Sequence, residues 1–434
     1  MTDLEAIPDW DHCQEFARAL DAADHLAFFR DQFHIPKHKD AHECIYFCGN
    51  SLGLQAKGVP AAIEIELEDW ARLGVGAHFN GRFPWMPYHE FVREPLAELV
   101  GARAPEVVAM SSLTVNLHLM LVSFYRPTPT RNKILIEKHA FPSDRYAVES
   151  QIRFHGFDPE TCLLELAPPV GLDCLSSEQI TQFIEAQGES IALILLPGVQ
   201  YYTGQVLDLE AITRAGREVG CRVGFDLAHS VGNVPLDLHS VGCDFAVWCS
   251  YKYLNAGPGA VAGCFVHQRH HGAELPRLHG WWGHDQRSRF LMGREFAPSP
   301  GADAWQLSNP PILALAPLRV SLDIFRAAGM AQLRQKSVQL TGFLLQLIQE
   351  QLSGWVRIIT PSAETERGCQ LSLMVEKKPE SARDVFRALS ERGAVADWRA
   401  PNVIRVAPVP LYNRFIEVYR FVEILNEAVR DRCA

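Results

Sequence analysis

Between residues 105 and 266 the chain repeats one pattern. Short, nearly unbroken apolar runs are followed by segments whose apolar positions recur every three or four residues. The runs are "EVVAM", "KILIE", "IALILL", "CRVGFD", "DFAVWC" and "AVAGCFV". The segments between them include "LTVNLHLMLVSFY", "SDRYAVESQIRF", "SSEQITQFIEAQG" and "DLEAITRAGREVG". A run without polar alternation predicts a strand buried on both faces, and the 3.6-residue spacing predicts a helix. Strands alternating with helices predict an α/β domain with a mainly parallel sheet sandwiched by helices. Ligands of such sheets sit beyond the carboxyl ends of the strands.

The flanks read differently. "DHCQEFARALDAADHLAFFRDQF" predicts one amphipathic helix, and "IYFCGNSLG" a short strand running into a turn. "PAAIEIELEDWARLG" predicts a helix with Pro in its first turn and Gly past its end, and "YHEFVREPLAELVGA" one bent at Pro95. Residues 278–312 form a long irregular stretch of the kind that usually carries function. Two long helices follow, then "WVRIITP", "CQLSLMV", "ESARDVFRALSERG", "VIRVAP" and "RFIEVYRFVEILNEAV", the texture of a smaller α+β domain. The expected division is an N-terminal helical segment, 1–45, packing with the small domain; a large domain, 46–310; and the small C-terminal domain, 311–434.

Composition narrows the classes. With 434 residues, 47% apolar and 21% charged, the chain is of the soluble globular type and long enough for two domains. A net charge of −10 and the lack of a Lys/Arg stripe argue against nucleic acid as a partner. No apolar stretch has the length of a membrane span, and the acidic start "MTDLEAIPDWDHCQEF" has no apolar signal region. A cytoplasmic protein is expected. The 11 scattered cysteines contain no C-x-x-C pair and read as reduced thiols. "HQRHH" (His267, His270, His271) lacks a metal-ligand pattern and reads as a solvated loop, so no metal is expected.

Candidate chemistry lies at the strand ends. "CRVGFDLAHSVG" puts Asp226 at the end of one strand with His229 three residues on, and "DFAVWCSYKYLNAGPGA" puts Lys252 at the end of the next. Both project onto one rim of the sheet. Pyridoxal phosphate (PLP) needs such a pair: a lysine amine to hold it as a Schiff base, and a carboxylate to keep its ring nitrogen protonated. The same two residues could equally be a snorkelling lysine and a helix-capping aspartate. Thr114 lies near a helix start that suits a phosphate, or is a simple cap. Phe141, Ser143 and Asp144 follow the strand "KILIE". The phenyl ring could stack on a cofactor or be core, and Asp144 could line the pocket or cap "RYAVES".

Nine strings, in order, carry a resemblance: "FCGNSLGLQ", "LTVNLHLM", "AFPSDRYAVESQ", "YYTGQ", "VGFDLAHSVGNV", "WCSYKYLNAGPG", "GWWGH", "SNPPI" and "IRVAPVPLYN". Over roughly residues 40–425 the chain resembles the kynureninase family, PLP-dependent hydrolases with the aspartate-aminotransferase-like fold (fold type I). The resemblance implies that Lys252 forms the Schiff base, Asp226 partners the ring nitrogen, and His229 neighbours the cofactor. Leu113, Thr114 and Tyr251 match residues at the phosphate, and Tyr251 also a group for proton transfer. Phe141, Pro142, Ser143 and Asp144 match the ring-stacking and pocket segment. Trp281 and Asn309 match residues that reach the site from the other subunit of a homodimer. Arg405, otherwise an ion-pair residue of the small domain, matches the clamp on the substrate α-carboxylate, where its planar fork suits a carboxylate. Ser51 and His78 match positions near the substrate's aromatic end. Pro197 stands where relatives often carry a small hydroxyl residue, which puts one cofactor contact in doubt.

The implied activity is hydrolysis of L-kynurenine or 3-hydroxy-L-kynurenine between Cβ and Cγ, giving an anthranilate and L-alanine. It would serve tryptophan catabolism or NAD biosynthesis. His78 and Asn309 lean towards the 3-hydroxy substrate. Two other readings are a cysteine desulfurase, which needs a histidine before the lysine and a loop cysteine, and a non-catalytic PLP-binding protein. Tyr251 precedes Lys252, and Cys369 in "GCQLSLMV" reads as strand rather than loop.

Overall fold

Side chains alternate between two faces of a strand, so a sheet buried on both sides must sort its residues into two cores. That is the arrangement in the computed structural model, which describes residues 9–433. The strands are β1 (Ile45–Tyr46), β2 (Val107–Ala109), β3 (Lys133–Glu137), β4 (Leu163–Leu166), β5 (Ile191–Pro197), β6 (Arg222–Asp226), β7 (Phe245–Trp248) and β8 (Gly263–Val266). Further on come β9 (Val356–Ile358), β10 (Leu371–Val375), β11 (Ala394–Val395), β12 (Asp397–Arg399) and β13 (Val403–Val406). The large sheet runs β2-β8-β7-β6-β5-β3-β4. Strands β4, β3, β5, β6 and β7 are parallel, while β8 is antiparallel to both neighbours. On one face Leu135, Ile194, Val223 and Phe225 join one apolar cluster. On the other, Ile134, Ile136, Leu193 and Val247 join a second.

A separate four-stranded antiparallel sheet, β12-β13-β10-β9, packs with the helices Met330–Leu352, Ala382–Glu391 and Phe415–Cys433 around a third cluster. Cys13, Ala17 and Leu20 of the first helix belong to it, as do Ile45 and Phe47. Strand β1 pairs in parallel with β11, and Cys48 bridges to Ala407 just past β13. The segment that leads into the large sheet is therefore held by β11, in a two-stranded sheet of their own, and by the residue just past β13.

Several details differ from the sequence reading. The first helix spans only Trp10–Ala22. The Asp24 carboxylate then accepts from Leu26 N at 2.9 Å and pairs with Lys336 at 2.8 Å, turning the chain before a 3₁₀ helix over Ala27–Gln32. Residues 1–8 of the expected N-terminal segment lie outside the described residues. Pro95 is the third residue of Arg93–Val100, inside the first turn, where a missing N–H breaks no helical bond, so it bends nothing. The "HQRHH" stretch is not a solvated loop. It holds a 3₁₀ turn, Gln268–His270, and His270 is buried with Nε2 2.7 Å from Asp244 Oδ1. Residues 278–312 are irregular as expected, with short 3₁₀ turns at Trp281–Gly283, Arg289–Leu291 and Gly301–Trp305.

Candidate active site

Strands β6 and β7 lie side by side with Asp226 opposite Val247, so the chain leaves both strands on the same edge of the sheet. Asp226 is the last residue of β6, and Lys252 follows β7 within a tight turn. Two things hold that turn. Asn255 adopts a left-handed φ of 54°, and its N–H donates to Lys252 O at 3.0 Å. From outside, the "NSLG" segment presses on it: Gly53 N donates to Tyr251 O at 2.8 Å, and Leu54 N to Asn255 Oδ1 at 3.1 Å. A Cβ on Gly53 would meet Lys252 O at 2.3 Å, so only glycine allows this approach.

One cavity gathers the edge residues. Leu113, Thr114, Phe141, Ser143, Asp144, Asp226, His229, Tyr251 and Lys252 all line it, together with Pro197, Glu137 and Tyr201. Lys252 Nζ lies 3.0 Å from His229 Nε2 and 5.8 Å from the centre of the Phe141 ring, which is 44% exposed to the opening. At the far wall the Thr114 and Ser143 hydroxyls are 2.8 Å apart. Thr114 is in the first turn of the helix Leu113–Phe124, whose preceding residue, Ser112, makes no side-chain cap. First-turn N–H groups without a capping side chain, beside two hydroxyls, form an anion-binding corner. Asp144 does not cap its helix: Phe141 precedes Pro142–Phe154, and Pro142 opens it. Pro142 itself is exposed and does not line the cavity.

Burial and mutual charge set the protonation states. Burial raises both Asp144 and Asp226, which share a hydrogen bond. The Asp226 charge pushes Asp144 further up, while that bond, Lys252 and the Ala228 N–H at 2.7 Å all favour ionised Asp226. The proton thus resides on Asp144 and the charge on Asp226. Burial, with the charges of Lys252, Arg405 and Arg399, holds His229 well below the ordinary imidazole range, so its Nε2 is free to accept from the ammonium. Burial raises the Tyr251 hydroxyl far above its usual range, with Cys249 adding to the effect, so it stays protonated. Burial pushes Glu137, at the end of β3, up to about 8, against a Gln200 contact of 3.4 Å; its Oε2 has no hydrogen-bond partner.

Other expected residues stand apart from this cavity. Arg405 on β13 is only 1% exposed and lies behind Tyr201, donating from Nη1 to Tyr201 O at 2.5 Å and from Nη2 to Asp397 Oδ2 at 2.7 Å. Ser51 lies in the turn after β1 that leads to Gly53. His78 sits in the short helix Ala77–Asn80, edge-on to Trp85 at 5.4 Å. Trp281, 43% exposed, and the exposed Asn309 are on the 278–312 surface and do not line the cavity.

Sequence reasoning missed Glu137, Tyr201, Asp397 and Arg399. Tyr201 stood in the quoted "YYTGQ" string, and "DWR" puts two opposite charges at alternate strand positions, which share one face. Cys369 is buried with a thiol raised by burial to about 12, so it offers no thiolate nucleophile of the desulfurase kind.

Comparison with known proteins agrees with the motifs. Residues 333–425 match the family model of the kynureninase C-terminal domain. The kynureninase of Myxococcus xanthus is 55% identical over 419 residues, 96% of this chain and 98% of the relative. That of Stenotrophomonas maltophilia is 56% identical over 408 residues, 94% and 96% of the two chains. Among solved structures, C-DES with glycine covalently linked to its PLP cofactor superposes with a TM-score of 0.76 at 19% identity, over 92% of this chain and 99% of that one. An apo cysteine desulfurase from Thermococcus onnurineus NA1 gives 0.74 at 17% identity, over 89% and 95%. The fold is that of the type I PLP-dependent enzymes.

Proposed function

The chain belongs to the kynureninase family, and from that premise we propose that it hydrolyses L-kynurenine or its 3-hydroxy form between Cβ and Cγ. Water is consumed, and anthranilate or 3-hydroxyanthranilate leaves with L-alanine. The observation that carries this reading is the shared cavity: one amine, one ionised carboxylate, a ring at the mouth and an anion corner.

The residues fit PLP as resident cofactor. Lys252 would hold it covalently, and Asp226 would face its ring nitrogen, with protonated Asp144 behind. Phe141 would flank the ring beside His229, and Leu113, Thr114, Ser143 and Tyr251 would surround the phosphate. When bound, PLP supplies a sink for the electrons released at the substrate Cα. Lys252, displaced by the incoming amine, carries the α-proton away. His229, neutral, accepts from the Lys252 amine and keeps it aimed. The Tyr251 hydroxyl is the candidate donor of the proton that Cβ needs once water has added to the γ-carbonyl and the Cβ–Cγ bond breaks. The Arg405 fork holds the α-carboxylate and so fixes the breaking bond against the sink.

We read Trp281 and Asn309 as completing the site of a second subunit, since both are exposed and away from their own chain's cavity. His78 and Ser51 would face the substrate's aromatic end. An amide that bonds a ring hydroxyl in a closed site rejects the analogue lacking it, so Asn309, once covered by the second subunit, and His78 would favour 3-hydroxykynurenine. Division into a large unit, 46–310, and a small one, 311–434, belongs to the same reading; of the segment before them, the helix Trp10–Ala22 packs with the small unit's cluster, whereas Leu26, Phe29 and Phe33 join that of the large sheet. The test is incubation of the yellow holoenzyme with each kynurenine, following anthranilate fluorescence and L-alanine. Bound PLP without turnover of either would leave only a cofactor-binding protein, and release of sulfide from cysteine would indicate desulfurase chemistry.

A further inference from the structure

Arg405 is a buried cation already served by an anion. A carboxylate arriving there gains little if Asp397 has cancelled the charge. The surroundings of that pair offer a way out. Asp397 and Arg399 are alternate residues of β12, and Asp397 stands opposite Arg405 across the β12–β13 ladder. Alternation and cross-strand pairing put all three side chains on one face of the small sheet. The Asp397 Oδ2 atom takes Arg405 Nη2 at 2.7 Å, and its Oδ1 lies 2.9 Å from Arg399 Nη1. Two guanidiniums therefore share one carboxylate. The side chains of Asp397 and Arg405 are 7% and 1% exposed, while that of Arg399 is 33% exposed, at the outer edge. Arg405 still has an unsatisfied buried donor, Nε. The cluster carries one positive charge in excess, and its innermost member keeps donors to spare.

We propose that Arg399 is a positioning residue for substrate selection: it holds the charge of Asp397 so that Arg405 stays electrostatically open to the substrate's α-carboxylate. The proposal rests on the reading of Arg405 as that carboxylate's clamp. Binding then completes a neutral quartet of two guanidiniums and two carboxylates, in which each buried charge has a partner. Arg399 does not touch substrate. It acts through Asp397, and removing it leaves Asp397 to neutralise Arg405 alone.

Charge arithmetic provides the test. In the holoenzyme, Arg399→Gln takes the cluster from one excess positive charge to none, while Asp397→Asn/Arg399→Gln returns it to one, on Arg405. The expected result is a tenfold or larger rise in KM for L-kynurenine in Arg399→Gln, with kcat changed less than threefold, and recovery of most of that rise in the double variant. The decarboxylated amine analogue of kynurenine, titrated against the visible absorbance of the holoenzyme, should bind both variants as it binds the parent. A double variant no better than Arg399→Gln, or an amine analogue weakened as much as the amino acid, would overturn the proposal, because either result marks Arg399 as merely structural. Arg405→Gln separates the two levels. If it weakens kynurenine no more than it weakens the amine analogue, the clamp reading itself falls.

Discussion

Three carboxyl groups, Glu137, Asp144 and Asp226, face one ammonium across the candidate cavity, and burial decides which of them bears charge. Glu137 has its folded pKa raised to about 8, so between its unfolded value and 8 the folded chain holds a proton that the unfolded chain has released. Stability therefore falls as pH rises through that window. Glu137→Gln removes the penalty. In the cofactor-free protein the variant should match the parent near pH 4 and exceed it by about 1 kcal/mol or more at pH 8. Urea unfolding at the two pH values measures this, and an unchanged difference would place Glu137 in contact with water. At the same scale, Lys252→Ala should abolish both turnover and the visible absorbance of the lysine-bound cofactor. An absorption spectrum of the purified variant decides it, and retention of both would remove the lysine from its role.

At the scale of elements, most of the architecture was legible because the strands are buried on both faces and write continuous apolar runs. Strand β4 was not, since three of the four residues in "LLEL" are not fully buried and no such run arises. The first helix was overdrawn because apolar periodicity continues through Ala23–Leu26, while the Asp24 side chain turns the backbone there. The cavity was legible for the same reason as the sheet: strand ends announce it, for Asp226 ends β6 and Lys252 follows the adjacent parallel strand β7. Residues brought in by other elements, such as Tyr201 and Arg399, were not, because no local spacing encodes the bond from Arg405 on β13 to the loop after β5, or the pairing of β12 with β13. The Gly53 approach to the lysine turn makes a test at this scale. Gly53→Ala must push the turn away by about an ångström, at a cost of about 1–3 kcal/mol. Activity should fall far more than the melting temperature, and kcat measured beside a thermal melt checks the disproportion.

At the scale of the molecule, no helix among the described residues is long and apolar enough to cross a membrane. Trp281 and Asn309 lie on an exposed surface, and on the proposed reading they would complete the site of a second copy. Mixing Lys252→Ala with Trp281→Ala under subunit exchange is the corresponding experiment. Each mixed dimer would hold one site with an intact lysine and an intact tryptophan, so about a quarter of all sites should recover activity. No recovery, with exchange verified by native mass spectrometry, would assign Trp281 to its own chain.

The run from Ile45 to Leu54 is fastened at two places: to β11 and to Ala407 just past β13, and through Gly53 and Leu54 to the backbone that carries Lys252. It behaves as a tie-rod. On the proposed roles of Arg405 and Lys252, any rocking of the part that would grip the substrate's acid end would be passed to the amine that would take the first proton. Grip and reactivity would then be geared together, and a mutation that slackens this short rod would cost timing before it cost either affinity or fold.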